Sequence, residues 1–292
     1  MTDAERDLRR LMPSGDPSAV ADLLPTGRLV STREDEEGTA PVLWLSDGPA
    51  PLGLWEELHR EHPRSGLWPL LLAPLRAGDE EFRPWGTGEL SRLYAGEPDW
   101  YDPAAVLRTG WEYSTSVETD GEALDPEEVS ELGRSVAPFL DGWPGVAPAT
   151  APTGPAGGPA GGPAGAARAL ARELLAGDAQ LRIGLVAAGS GAEALTVCGW
   201  SGPANHEEDI AKVSAVLLDW ERRFGTRLVQ VGFAELELSV AAPPGDGQAA
   251  LRVAAEHFAL CPDNVFQGTR TGTLTEYAPR LVGATQWSFW WD

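Results

Sequence analysis

The chain has 292 residues, of which 42% are hydrophobic and 23% charged, so it can bury a sizeable core and is not disordered throughout. Its length is enough for roughly two domains. Net charge is −22 and uneven: residues 1–145 hold 29 acids against 12 arginines, and residues 167–292 hold 15 acids against 10 basic residues. Nucleic-acid backbones and anionic membranes attract basic surfaces, so neither is an expected partner. An acidic first half instead suits a basic protein partner, or serves solubility alone. No apolar run is long enough to span a bilayer, and the first residues lack the apolar stretch of a signal peptide. Two cysteines do not make a disulfide framework, so a soluble cytoplasmic protein is expected.

In chain order, residues 1–35 are interrupted by Pro, Ser, Gly and charges, and read as a weakly ordered N-terminus. Residues 36–145 read as an acidic α/β part. Pro41–Leu45 and Leu67–Leu72 are apolar runs, with Leu54, Trp55 and Leu58 at helical spacing between them. This order predicts a βαβ-like crossover with parallel pairing. Asp102-Pro103 and Asp125-Pro126 each predict an N-cap with proline at the first helical position. Residues 146–166 contain a Pro-Ala-Gly-Gly repeat with nothing larger than valine, and read as a flexible linker.

Residues 167–292 read as one C-terminal domain with a mixed sheet. The predicted order is strand, strand, helix, strand, strand, helix, helix, strand, with the N-terminal part packed against it. After a helix from Ala167, the strands are Leu181–Ala187 and Ala192–Trp200. Asn205 and Glu208 have capping-box spacing, ahead of an apolar stripe from Ile210 to Phe224 that stops at Gly225. Strands follow at Arg227–Phe233 and Glu235–Val240. A helix then carries Leu251, Ala254 and Phe258 inward, with Cys261 continuing that face. Pro279 shortens the last helix, and Trp287–Asp292 reads as an interior strand because aromatics point both ways.

Candidate chemistry centres on Glu256, His257, Cys261 and Asp263. A thiolate four residues from an imidazole, oriented by Glu256 or Asp263, would be a nucleophilic pair of hydrolase type. The competing reading is that Cys261 fills the core, with Glu256 turned to solvent or a partner cleft and Asp263 capping a turn. Cys198, His206, His257 and Cys261 supply zinc-type ligands, but their spacing matches no compact zinc motif, so no metal is expected. No cofactor motif is present. The turn from Gly199 to His206 leads into a helix, where an anion could sit. The candidate binding residues are Trp200, Asn205, His206, Asn264 and Gln267. The Trp-rich set in this half serves either a groove or the core, with the core favoured. His59 and His62 read as surface residues.

The run Cys198–His206, the helix Val216–Gly225, and the stretches Leu238–Pro244, Ala254–Asn264 and Trp287–Asp292 together resemble the bacterial domain of unknown function 4253 family over residues 181–292. Val42–Leu45, Gly66–Leu70 and Phe139–Gly145 resemble the leader region of actinobacterial members. The linker is longer and more repetitive than that family pattern, and Pro279 departs from it. The resemblance implies an α/β fold shared by both parts, and the elements themselves read as an α+β (mixed α/β) class. It implies no activity, cofactor or substrate. The reading on function is a non-catalytic binding module, with a Cys261 hydrolase as its alternative.

Overall fold

The computed structural model describes residues 2–12, 14–32, 40–119, 122–150 and 161–292. Most of the repeat in the expected linker, residues 151–160, lies outside them.

The first half supplies α1 (Asp3–Leu11), α2 (Ser18–Ala21), β1 (Gly27–Val30), β2 (Leu43–Ser46), α3 (Leu54–Ser65) and β3 (Leu67–Leu72). It continues with α4 (Pro103–Ser114), a short hairpin of β4 (Glu118–Thr119) and β5 (Glu122–Ala123), and α5 (Pro126–Val136). The second half supplies α6 (Gly162–Gly177), β6 (Arg182–Ala187), α7 (Gly191–Cys198), α8 (Ile210–Phe224), β7 (Arg227–Val231) and β8 (Glu235–Ser239). It ends with α9 (Gly247–Leu260), α10 (Asp263–Phe266), α11 (Leu274–Tyr277) and β9 (Gln286–Trp290).

Among the described residues, seven strands form one mixed sheet in the order β1-β2-β6-β3-β7-β8-β9. This is the expected α+β class, with helices on both faces. The two halves interleave: β6 enters between β2 and β3 and pairs antiparallel with both. The βαβ unit expected from residues 41–72 therefore has its two strands parallel but not adjacent. The parallel contact is instead between β3 and β7. Alternation along the strands sends Trp44, Leu71, Ile183 and Val229 to one face, under α1, α2, α3 and α6. Leu43, Leu70, Val186 and Leu228 go to the other, under α7, α8 and α9.

Several elements depart from the sequence reading. The first 35 residues hold α1, α2 and an edge strand. Thr2 caps α1, and Leu8 and Leu11 bury against the sheet. Helix α6 begins at Gly162, inside the stretch read as linker. Residues 192–198 are helical, not a strand: the Ser190 hydroxyl accepts from the Glu193 N–H, and Gly199 ends the turn at φ 74°. A side chain at Gly199 would also meet the Ser91 carbonyl at 2.6 Å, where the two halves of the chain touch. Helix α8 keeps its predicted stripe and its Gly225 stop, but its cap is Asp209. Asn205 lies in the turn before it and donates to the Asp292 carbonyl instead.

Strand β9 lies at the sheet edge rather than inside. Trp287 and Phe289 bury one face, and Ser288 and Gln286 bond Glu237 of the neighbouring strand on the other. Its free edge is closed by a side chain. Asn264 donates to the Ser288 carbonyl at 2.7 Å and accepts from the Trp290 N–H at 3.4 Å, pairing as a strand would. The aromatic set is largely core: Trp200, Trp220, Trp287 and Trp291 are buried. His59 and His62 are half-buried rather than surface residues, packed by their rings against Trp68.

Candidate functional site

The residues expected to carry nucleophilic chemistry lie in the core. Cys261 follows the last turn of α9, and its Sγ donates to the Trp290 carbonyl at 2.9 Å. Burial pushes its thiol up to about 12. His257 is fully buried among Trp220, Trp287 and Phe289. Its Nδ1 bonds the Tyr277 hydroxyl at 3.0 Å, not the thiol. That hydroxyl also accepts from the Asn264 amide at 3.2 Å. Desolvation lowers the His257 pKa to about 3, so the ring is neutral.

Glu256 is also fully buried, not turned to solvent or a partner cleft as expected. The expectation assumes one wet helix face, but α9 packs on Trp287 and Phe289 of β9 through His257 and is also covered by α4. Glu256 accepts from the Ala147 N–H at 2.5 Å, the Trp220 indole at 2.7 Å and the Arg223 guanidinium at 2.9 and 2.6 Å. It pins the end of the first half to α8 and α9.

Asp263 does not cap a turn with its side chain. Its carboxylate gathers the Asp292 N–H at 3.2 Å, the Gln267 amide at 3.1 Å and His206 Nε2 at 3.3 Å. The five candidate binding residues thus divide. Trp200 is buried, its indole donating to the Gly232 carbonyl at 3.0 Å, and Asn264 seals β9. Asn205, His206 and Gln267 surround the Asp263–Asp292 corner, and of the five only His206 lines an open cleft.

That cleft has a volume of about 580 Å³. One wall is a single turn of 3-10 helix at Pro98–Trp100 followed by α4, contributing Trp100, Tyr101, Asp102, Val106 and Tyr113. The other wall is Pro203, His206 and Glu207, the start of α8 with Lys212 and Val213, and Ala259, Leu260 and Pro262 at the end of α9. Asp102 caps α4 by accepting from the Ala104 N–H at 3.2 Å. Gly110 lets α4 close on α9, since a Cβ there would fall 2.1 Å from the Ala259 carbonyl. Asp209 ties the walls together, accepting from the Gly96 N–H at 2.9 Å and from the Tyr101 hydroxyl. The latter bond pushes the Tyr101 hydroxyl up to about 12. Lys212, the chain's single lysine, is held by both Glu207 oxygens at 3.0 and 2.8 Å.

Two aromatic side chains stand in solvent at this cleft, Trp100 at 71% exposure and Tyr113 at 77%. The sequence reading missed both. Their signal was position: each lies near one end of the helix that the Asp102-Pro103 cap announces.

The family model described as Domain of unknown function (DUF4253) matches residues 182–292. No curated protein and no solved structure matches the chain. The match takes in β6 to β9, so the α8 and α9 wall of the cleft lies inside the family segment and the Trp100–Ser114 wall outside it. Among the described residues, no helix is long and apolar enough to cross a membrane. Over residues 182–292, the chain is therefore similar to the DUF4253 family.

Proposed function

We propose that the protein is a non-catalytic, cytoplasmic protein-binding module that presents an acidic face to a basic partner. The observation that carries this reading is the open α4–α8–α9 cleft. It is largely apolar, holds two exposed aromatics, and sits in a chain of net charge −22. Exposed aromatics beside a concave apolar surface are what partner recognition uses. The groups that could do chemistry argue the same way. Cys261 and His257 are turned into separate buried contacts, and Glu256 is saturated by donors. Two buried free cysteines suit a reducing compartment.

The test is titration of the purified chain against labelled basic, neutral and acidic peptides of equal length, at about 0.05 M and about 0.5 M salt. Binding confined to the basic set and weakened by salt supports the reading. Absence of binding by the basic set at low salt, or equal binding by all three sets, overturns it.

A further inference from the structure

The cleft also carries a more specific reading, which rests on the binding-module proposal. We propose that it takes an arginine side chain of the partner, the guanidinium stacked on the Trp100 indole and paired with the Asp102 carboxylate. Three features of the cleft lead there. The Trp100 face is free, and a planar cation stacks on an exposed indole better than any neutral group of the same shape. Asp102 uses Oδ1 for its cap, while Oδ2 has no protein partner among the described residues. The local charge is negative. Glu97, Asp99, Glu112 and Glu208 lie along the same segments against one arginine, Arg108, while the lysine on the cleft wall, Lys212, is already neutralised by Glu207. An anion would have to displace Glu207 from Lys212, whereas a cation needs no rearrangement. Val106 and Leu260, which line the same cleft, would take an apolar residue next to the arginine.

The single lysine makes the test direct. Reductive methylation with ¹³C-formaldehyde places one side-chain reporter in the cleft of the full chain, at Lys212, distinct from the α-amine. Four blocked tetrapeptides serve as probes, with arginine, citrulline, lysine or glutamate beside one leucine. Citrulline keeps the shape of arginine without its charge. The arginine peptide should shift the Lys212 signal and bind at least about tenfold tighter than the citrulline peptide, the size expected of a charge-assisted pair. Trp100→Ala should weaken it about five- to tenfold. Asp102→Asn, which retains a good capping side chain, should do the same. Tyr94→Ala, at an exposed aromatic outside the cleft, should change nothing.

Equal binding of arginine and citrulline peptides, tighter binding of the glutamate peptide, or unchanged affinity in both Trp100→Ala and Asp102→Asn overturns the inference. A lysine peptide that binds as tightly as arginine would remove guanidinium stacking and overturn it too. If salt-sensitive binding of basic sequences persists while the two cleft variants are silent, the arginine site fails and the binding module stands. If no basic sequence binds at all, both fail.

Discussion

Removing the Glu256 carboxylate should be among the most damaging single changes to this fold. Glu256 is fully buried and meets four donors from three places: Ala147 of the first half, and Trp220 and Arg223 of α8. The Arg223 side chain is only 12% exposed, so Glu256→Ala strands a guanidinium that solvent reaches poorly. Breaking a buried pair from one side costs about 3–5 kcal/mol. Two further donors, the Trp220 indole and the Ala147 N–H, lose their acceptor at about 1 kcal/mol or more each. Asp219 still holds Arg223 at 2.6 Å and recovers part of the loss. These effects share one network and do not add in full, so the expected cost is about 4 kcal/mol, a large share of the ~5–15 kcal/mol that holds a domain together. Glu256→Gln keeps the shape and one acceptor and should cost about half as much. Urea unfolding followed by tryptophan fluorescence reads the change. Hydrogen exchange at the Ala147 amide should accelerate in the same variant. A Glu256→Ala protein within about 1 kcal/mol of wild type would refute the argument that this carboxylate pins the two halves together.

Three other outcomes are expected. Cys198 and Cys261, both held up to about 12 by burial, should resist maleimide at pH 8 in the native protein and react only once urea unfolds it; rapid native labelling of Cys261 would revive the nucleophilic alternative. The His257 pKa of about 3 lies below its unfolded value of 6.5, so the unfolded chain holds a proton that the native one lacks between those values. This group therefore lowers stability as pH falls from 6.5 toward 3, by up to about 1.4 kcal/mol per unit, and His257→Phe should flatten that slope in urea titrations at pH 4–6. Glu221, raised to about 7 by burial, works with the opposite sign, favouring the fold below 4.5 and losing that contribution as pH rises through 7. Asn264→Ala should open the edge of β9 at a cost of about 2 kcal/mol, with faster exchange at the Trp290 amide; unchanged exchange there would count against side-chain closure of the edge.

Helix α8 was legible because its stripe, its terminal arginines and its glycine stop all agree, and the sheet confirms the face. Helix α7 was misread because Leu195-Thr196-Val197 resembles a strand, although the Ser190 cap, three residues ahead of Glu193, marked a helix start. Glu256 was misplaced because periodicity identifies the more apolar face of a helix, not whether a second layer covers the other. Asn264 was read as a candidate binding residue, whereas its side chain closes the edge of β9, because pairing along β9 is set by tertiary position. The cleft was illegible for the same reason: it forms where Gly110 brings α4 onto α9, two segments roughly 150 residues apart.

The interleaving of β6 between β2 and β3 has a consequence for how the chain is made. While the ribosome is still completing the first half, β2 and β3 have no common neighbour to bond, and their inward apolar side chains wait for a strand that ends at Ala187. The nascent polypeptide therefore carries those two strands without their shared partner until Arg182–Ala187 has been synthesised, about 110 residues after β3.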